Sequence, residues 1–254
     1  MPDSNLNPGR ASGDSLLVLR AGDALPEVAA LHGEFAAWIE RAATAAWQGP
    51  WALHDLRSSD PLPDCRSVAG IVITGSVSSV TERAPWMLRA ESYIREIVSA
   101  ETPLLGICFG HQLMAQALGG EVGKNPRGRE IGTVEVTRCE DDPLFDGLPD
   151  ALFANATHVD SAVRLPPSAR VIAKTALEDH AAVVFGPAAR GVQFHPEIDR
   201  HVMRGYVEIR RPLLAEEGLD ADAIHAAVAE TPDAEKLLCN FIRAFVLSGA
   251  RRAA

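Results

Sequence analysis

Short apolar runs alternate along this chain with longer stretches whose apolar positions recur every three or four residues. Leu16, Leu17, Val18 and Leu19 form the first run, and the spacing predicts a buried strand over 15–20. A helical pattern around 34–46 follows, with Trp38 and Trp47 as core or partner-facing aromatics, and then a weakly alternating strand over 51–57. Residues 68–74 are apolar and β-branched and predict a strong strand. Over 86–100, Met87, Leu88, Tyr93, Ile94, Ile97 and Val98 make a helical stripe. A further apolar run ends at Ile107, and 109–118 returns to helical spacing through Leu113, Met114, Ala117 and Leu118, with Gly119-Gly120 as a helix stop. Strands are predicted over 131–137, in an antiparallel flap, and over 171–175, 181–185 and 190–194. From Ile198 onward the pattern is helical, over 198–214, 221–230 and 235–247, with Thr231-Pro232 as a helix start. Strands alternating with helices imply an α/β domain with a mostly parallel sheet covered on both faces.

Composition narrows the function classes. The chain has 254 residues, 47% of them hydrophobic, which suffices for one large core. A formal net charge of −10 without a long basic run argues against nucleic acid or an anionic membrane as partner. The four cysteines, Cys65, Cys108, Cys139 and Cys239, are scattered with no C-x-x-C pair, so neither a zinc cage nor a redox dithiol is expected. Few cysteines suit a reducing cytoplasm. Residues 1–14 are polar, carry Gly and Pro, and read as a disordered arm without the apolar region of a secretory signal. No run approaches the ~20 apolar residues of a membrane helix.

Candidate chemistry centres on Gly106-Ile107-Cys108-Phe109-Gly110. A cysteine between a buried strand and a helix, with glycine two places to either side, is the thiol form of a nucleophile elbow. The helix N-terminus would face the sulfur and favour thiolate. Taken alone, Cys108 reads equally well as a small buried hydrophobe. The balance shifts at Val192-Gln193-Phe194-His195-Pro196-Glu197, which supplies a base and an acceptor to orient it. If the strand continues that far, the side chains of His195 and Glu197 share one face. His111, three residues after Cys108, is a rival base by spacing, and Gln112 falls on the same helix face as the cysteine.

Together these segments resemble the class I glutamine amidotransferases, in which a G-x-C-x-G-x-Q elbow and a later H-P-E supply a Cys-His-Glu triad. The resemblance runs from about Val68 to Glu197. Ile73-Thr74-Gly75-Ser76, Pro85-Trp86 and the elbow through Gln112 fit the free-standing branch similar to the glutaminase domain of GMP synthase and to γ-glutamyl peptidases. It implies a flavodoxin-like three-layer sandwich over 15–197, with 198–254 as a C-terminal helical extension on the same domain. It also implies a cysteine hydrolase that cleaves the γ-amide of glutamine or a γ-glutamyl compound through a thioester. Cys108 would be the nucleophile, His195 the base and Glu197 its orienting acceptor. Backbone N–H groups of Gly75 or Ser76 and of Phe109 would form the oxyanion hole, although Thr74 stands where many relatives carry glycine. Gln112, His158 and Asp160 would line the substrate's head group. No metal or organic cofactor is needed. The rival readings are a glutaminase subunit feeding a separate synthase and a non-catalytic binding module. A synthase or a second copy of the chain is the candidate protein partner.

Overall fold

The computed structural model of the chain describes residues 15–250, and side chains through residue 248. The arm expected over 1–14 and the last four residues lie outside the described residues.

Strand β1 (Leu16–Arg20) shows how the core is built. Successive side chains of a strand point to opposite faces. Leu16 and Val18 accordingly join one apolar cluster and Leu17 and Leu19 another. Five strands run parallel: β2 (Trp51–Asp55), β1, β3 (Gly70–Ile73), β4 (Leu104–Ile107) and β11 (Ala189–Val192). The sheet then continues antiparallel through β10 (Ala182–Gly186), β9 (Arg170–Lys174), β6 (Glu130–Arg138) and β7 (Ala151–His158), to nine strands in all. A separate antiparallel pair joins β5 (Glu121–Lys124) to β8 (Asp160–Arg164).

Helices cover both faces, as apolar parallel strands require. On one side α2 (Phe35–Ala43) and α8 (Pro232–Phe241) supply Ile39, Leu237 and Phe241 to the cluster around Val18 and Ile107. On the other, α3 (Pro85–Ser99) and α4 (Phe109–Ala117) bury Ile94, Ile97, Leu113 and Met114 against Leu17 and Ile73. A third cluster packs Trp38 of α2 against α1 (Pro26–His32) and α5 (Arg200–Ile209). Trp38 is fully buried, with its indole N–H on the His32 carbonyl at 2.7 Å.

Several expectations are corrected. The strand that leads to His195 stops at Val192, so His195 and Glu197 do not share a strand face. Residues 198–214 form two helices rather than one, α5 and α6 (Arg211–Glu216), because Pro212 has no N–H to continue the ladder. The helix expected over 221–230 ends earlier, as α7 (Ala221–Ala227). The one over 235–247 starts at Pro232 and widens into π turns over Ile242–Val246. α1, β5, β7 and β8 were not foreseen.

Candidate active site

The elbow owes its shape to its two glycines. A Cβ on Gly106 would lie 2.6 Å from Met114 Sδ and 2.7 Å from the Gly110 backbone. One on Gly110 would lie 2.6 Å from the Ile73 carbonyl. Helix α4 can therefore sit directly on β3 and β4 only if both positions lack a side chain. Between them Cys108 is held at φ 50°, ψ −102°, a region that costs a non-glycine residue about 1–3 kcal/mol. That strain is tolerated because the flanking strand and helix fix both ends of the turn: Cys108 N–H bonds the Val192 carbonyl at 2.8 Å and Gln112 N–H bonds the Cys108 carbonyl at 3.0 Å.

β7 brings the second segment to the sulfur. Asn155, fully buried, accepts the His195 N–H on its carbonyl at 2.7 Å and donates its side-chain amide to the Ile198 carbonyl at 2.9 Å. Its side-chain oxygen accepts from the Thr133 hydroxyl at 2.8 Å. This clamp, rather than strand continuation, sets the His-Pro-Glu corner. Within it His195 Nδ1 and Glu197 Oε1 are 2.7 Å apart, and both residues are buried. Phe35 stacks on the imidazole, with centroids 6.0 Å and planes 17° apart, and the Gly75 backbone packs by its edge. Gln193, which the sequence pattern does not single out, places Nε2 3.5 Å from Cys108 Sγ.

The electrostatics favour charge separation. Burial alone would push the Cys108 thiol up; the opposing charge of His195 outweighs it with help from His158, and the thiol lies below its ordinary value. Burial likewise works against a charged His195, yet Glu197 and Cys108 together raise it. His111 behaves in the opposite way. It is fully buried against Phe185, and burial, with minor contributions from His180 and His158, holds it down to about 3. A neutral imidazole turned into the far core is no base for Cys108.

Ser76, Cys108, Phe109, Gln112, His158 and Asp160 line one small pocket of about 120 Å3, together with Arg129 and Arg210. Gln112 Nε2 is committed to the Asp160 carbonyl at 2.8 Å and to Gln193 Oε1 at 3.1 Å, which leaves its Oε1 for a ligand. His158 also has both nitrogens engaged, Nδ1 with the Asp160 carbonyl at 3.0 Å and Nε2 with Glu130 Oε2 at 3.1 Å. Two acceptors on one imidazole call for two protons. His158 is raised accordingly, Glu130 and Cys108 overcoming the effect of burial. It can offer charge to the pocket but no free N–H. Asp160 Oδ2 accepts from the Ser79 hydroxyl at 2.5 Å.

For a metal, one group among the described residues brings three ligand atoms together, Asp64, Cys65 and Glu96. Burial raises the Cys65 thiol, Asp64 caps the Arg66 N–H, and Glu96 pairs with Arg66, so that group is occupied by its own contacts. Among the described residues no helix is long and apolar enough to cross a membrane.

Comparison with known proteins places this geometry in context. The chain is 38% identical over 137 residues to a GMP synthase (glutamine-hydrolysing) of Aeropyrum pernix, a match that covers 54% of this chain and 25% of that protein. It is 33% identical over 160 residues to one subunit of the glutamine-hydrolysing GMP synthase of Archaeoglobus fulgidus, covering 61% of this chain and 82% of that one. This chain thus spans about a quarter of the first relative and most of the second. In fold it resembles a glutamine amidotransferase of Thermotoga maritima, with a TM-score of 0.71 at 24% identity over 92% of this chain and 98% of that one. Residues 53–207, more than half of the sequence and inclusive of both the elbow and the His-Pro-Glu corner, match the family described as glutamine amidotransferase class-I, and the chain belongs to that family.

Proposed function

We propose that this protein is a cysteine hydrolase that cleaves the γ-amide of glutamine or of a γ-glutamyl compound. The observation that carries the reading is the meeting, in one buried site, of a strained elbow cysteine with a lowered thiol and an imidazole held 2.7 Å from a buried carboxylate. Cys108 Sγ attacks the γ-carbonyl carbon. The electron pair moves to the carbonyl oxygen, which the N–H groups of Phe109 and of Gly75 or Ser76 receive. His195 gives a proton to the departing amine as the C–N bond breaks, leaving a γ-glutamyl thioester. It then takes a proton from water, which hydrolyses the thioester to glutamate and returns the thiolate. Glu197 holds the imidazole in the tautomer this cycle needs. Gln112, His158 and Asp160 form the wall that receives the rest of the substrate, with 15–197 as the amidotransferase-like domain and 198–254 completing it.

A second reading has its own support. The Archaeoglobus fulgidus relative, most of whose length this chain covers, is named as a subunit. The same chemistry would then release ammonia to a synthase on another chain. Steady-state release of ammonia and glutamate by the purified protein, from glutamine and from γ-glutamyl amides, tests the first reading. Turnover by the protein alone supports the free-standing hydrolase; turnover only after a synthase is added supports the synthase-dependent glutaminase.

A further inference from the structure

The side-chain amides of Gln112 and Gln193 form a two-link chain whose direction is set from one end. The Asp160 backbone carbonyl can only accept, so Gln112 turns its Nε2 towards it, at 2.8 Å. The same nitrogen donates to Gln193 Oε1 at 3.1 Å. With its oxygen held there, Gln193 has only Nε2 to present on the other side, where Cys108 Sγ lies at 3.5 Å. Both glutamines are buried, which shields the links from water. The root of Gln193 is fixed as well: it directly follows β11, and its backbone N–H donates to the Ala181 carbonyl at 2.8 Å.

A donor beside sulfur favours thiolate over thiol, because a hydrogen bond to an ionised acceptor is about twice as strong as one to a neutral acceptor. Charged groups face the sulfur too: His195 and Glu197 from the corner, His158 at the end of β7, Asp160 at the start of β8, and Arg129 and Arg210 across the pocket. On the proposed cycle His195 passes its proton to the leaving amine and takes another from water. Gln193 carries no charge and keeps its protons, so it offers the sulfur the same donor at every stage. A lysine or arginine at this position would oppose the charge on His195, and a carboxylate would oppose the thiolate. An amide helps the one without disturbing the other.

We propose that Gln193 is a catalytic residue whose side-chain amide donates to the anionic Cys108 sulfur, first in the resting thiolate and again as sulfur leaves the thioester, with Gln112 fixing the direction of the amide. The inference rests on the hydrolase reading above and deepens it. In the second half of the cycle the water oxygen bonds to the γ-carbonyl carbon and one water proton goes to His195. The C–S bond then breaks with its electron pair on Sγ, and that pair is the charge the Gln193 N–H meets.

Titration of the thiol tests this without substrate. Alkylation of Cys108 by iodoacetamide, read by peptide mapping, is followed across pH in the unsubstituted protein and in Gln193→Met, Gln193→Glu and Gln112→Met, each with its thermal midpoint. Methionine keeps the length of the side chain and removes the donor. Loss of a hydrogen bond to a charged group should move the alkylation midpoint of Gln193→Met up by about one to two pH units. Gln193→Glu keeps an acceptor for Gln112 but turns an oxygen to the sulfur, and should move the midpoint at least as far. Gln112→Met frees the Gln193 amide to turn and should give a smaller shift in the same direction. A merely structural role would lower the thermal midpoint and leave the alkylation midpoint in place. An unmoved alkylation midpoint in Gln193→Met, or in Gln193→Glu should the first variant not fold, overturns the proposal, as does a larger shift in Gln112→Met than in Gln193→Met. The two readings separate cleanly. A protein that shows the shifts but hydrolyses no γ-amide refutes the hydrolase and leaves Gln193 as the partner of the thiolate; one that hydrolyses γ-amides without the shifts refutes Gln193 alone.

Discussion

Thr74 Oγ1 donates to the carbonyl of the next residue, Gly75, at 2.9 Å, and accepts the Ala21 N–H at 3.0 Å. The hydroxyl thus ties the end of β3 to the chain leaving β1 and fixes the plane of the Gly75–Ser76 peptide. Because the carbonyl and N–H of a trans peptide point in opposite directions, pinning the Gly75 carbonyl also aims the Ser76 N–H. Threonine therefore has a physical use at this position. On the proposed mechanism Thr74 is a positioning residue. Thr74→Val should lower kcat by up to the ~10²–10³ that loss of one oxyanion donor costs, with KM little changed. Thr74→Ser should recover most of the rate. A Thr74→Val protein with full kcat would show that the peptide needs no pin.

The pairing of His195 with Glu197 predicts a graded loss. His195→Ala removes the proton carrier and should cost about 10²–10⁴ in kcat. Glu197→Gln retains an oxygen that can accept from Nδ1, so the loss should be smaller. His111→Gln should stay within a few-fold of the parent, because that imidazole faces the Phe185 side of α4. Stopped-time assays on a γ-glutamyl amide decide between the two histidines, and the base assignment is wrong if the His111 variant is the damaged one.

The lowered Cys108 thiol sets a pH profile. A depressed pKa means that the thiolate, the reactive form, is already populated below the ordinary thiol value of about 8.5. Alkylation of Cys108 by iodoacetamide should therefore rise at lower pH than alkylation of a free thiol. In His195→Ala the opposing charge is gone while burial remains, so the rise should move to higher pH. Rate constants across the pH range check this. A profile in which His195→Ala leaves the midpoint in place would mean that His195 does not stabilise the thiolate.

Much of this was legible in the sequence, for reasons that differ from place to place. The elbow could be read because Gly106 and Gly110 stand where any Cβ would collide, a constraint that admits few sequences. β1, β3 and α3 could be read because their apolar periodicity records which faces they bury. β7 could not. Its 151–158 segment is buried over most of its second half, which erases the alternation that marks a half-exposed strand. Asn155 was invisible for the same reason: nothing local to it reveals that its carbonyl will hold His195. Arg210 sits in a charged, amphipathic stretch where a guanidinium reads as solvent-facing, and only the joint at Pro212 and the approach of Thr157 turn it inward. The spacing of His195 and Glu197 suggested the right partners through the wrong geometry, since the clamp from β7 replaces the strand that was expected.

If Cys108 is the nucleophile, the γ-glutamyl group must pass through its sulfur, where intact-protein mass spectrometry with peptide mapping can find it. The protein is mixed with a γ-glutamyl substrate, quenched in acid during turnover, and digested. An added γ-glutamyl group is expected on the peptide that carries Cys108, absent from Cys108→Ala. A γ-glutamyl adduct mapped instead to Cys65, Cys139 or Cys239, or steady turnover that persists in Cys108→Ala, would contradict it.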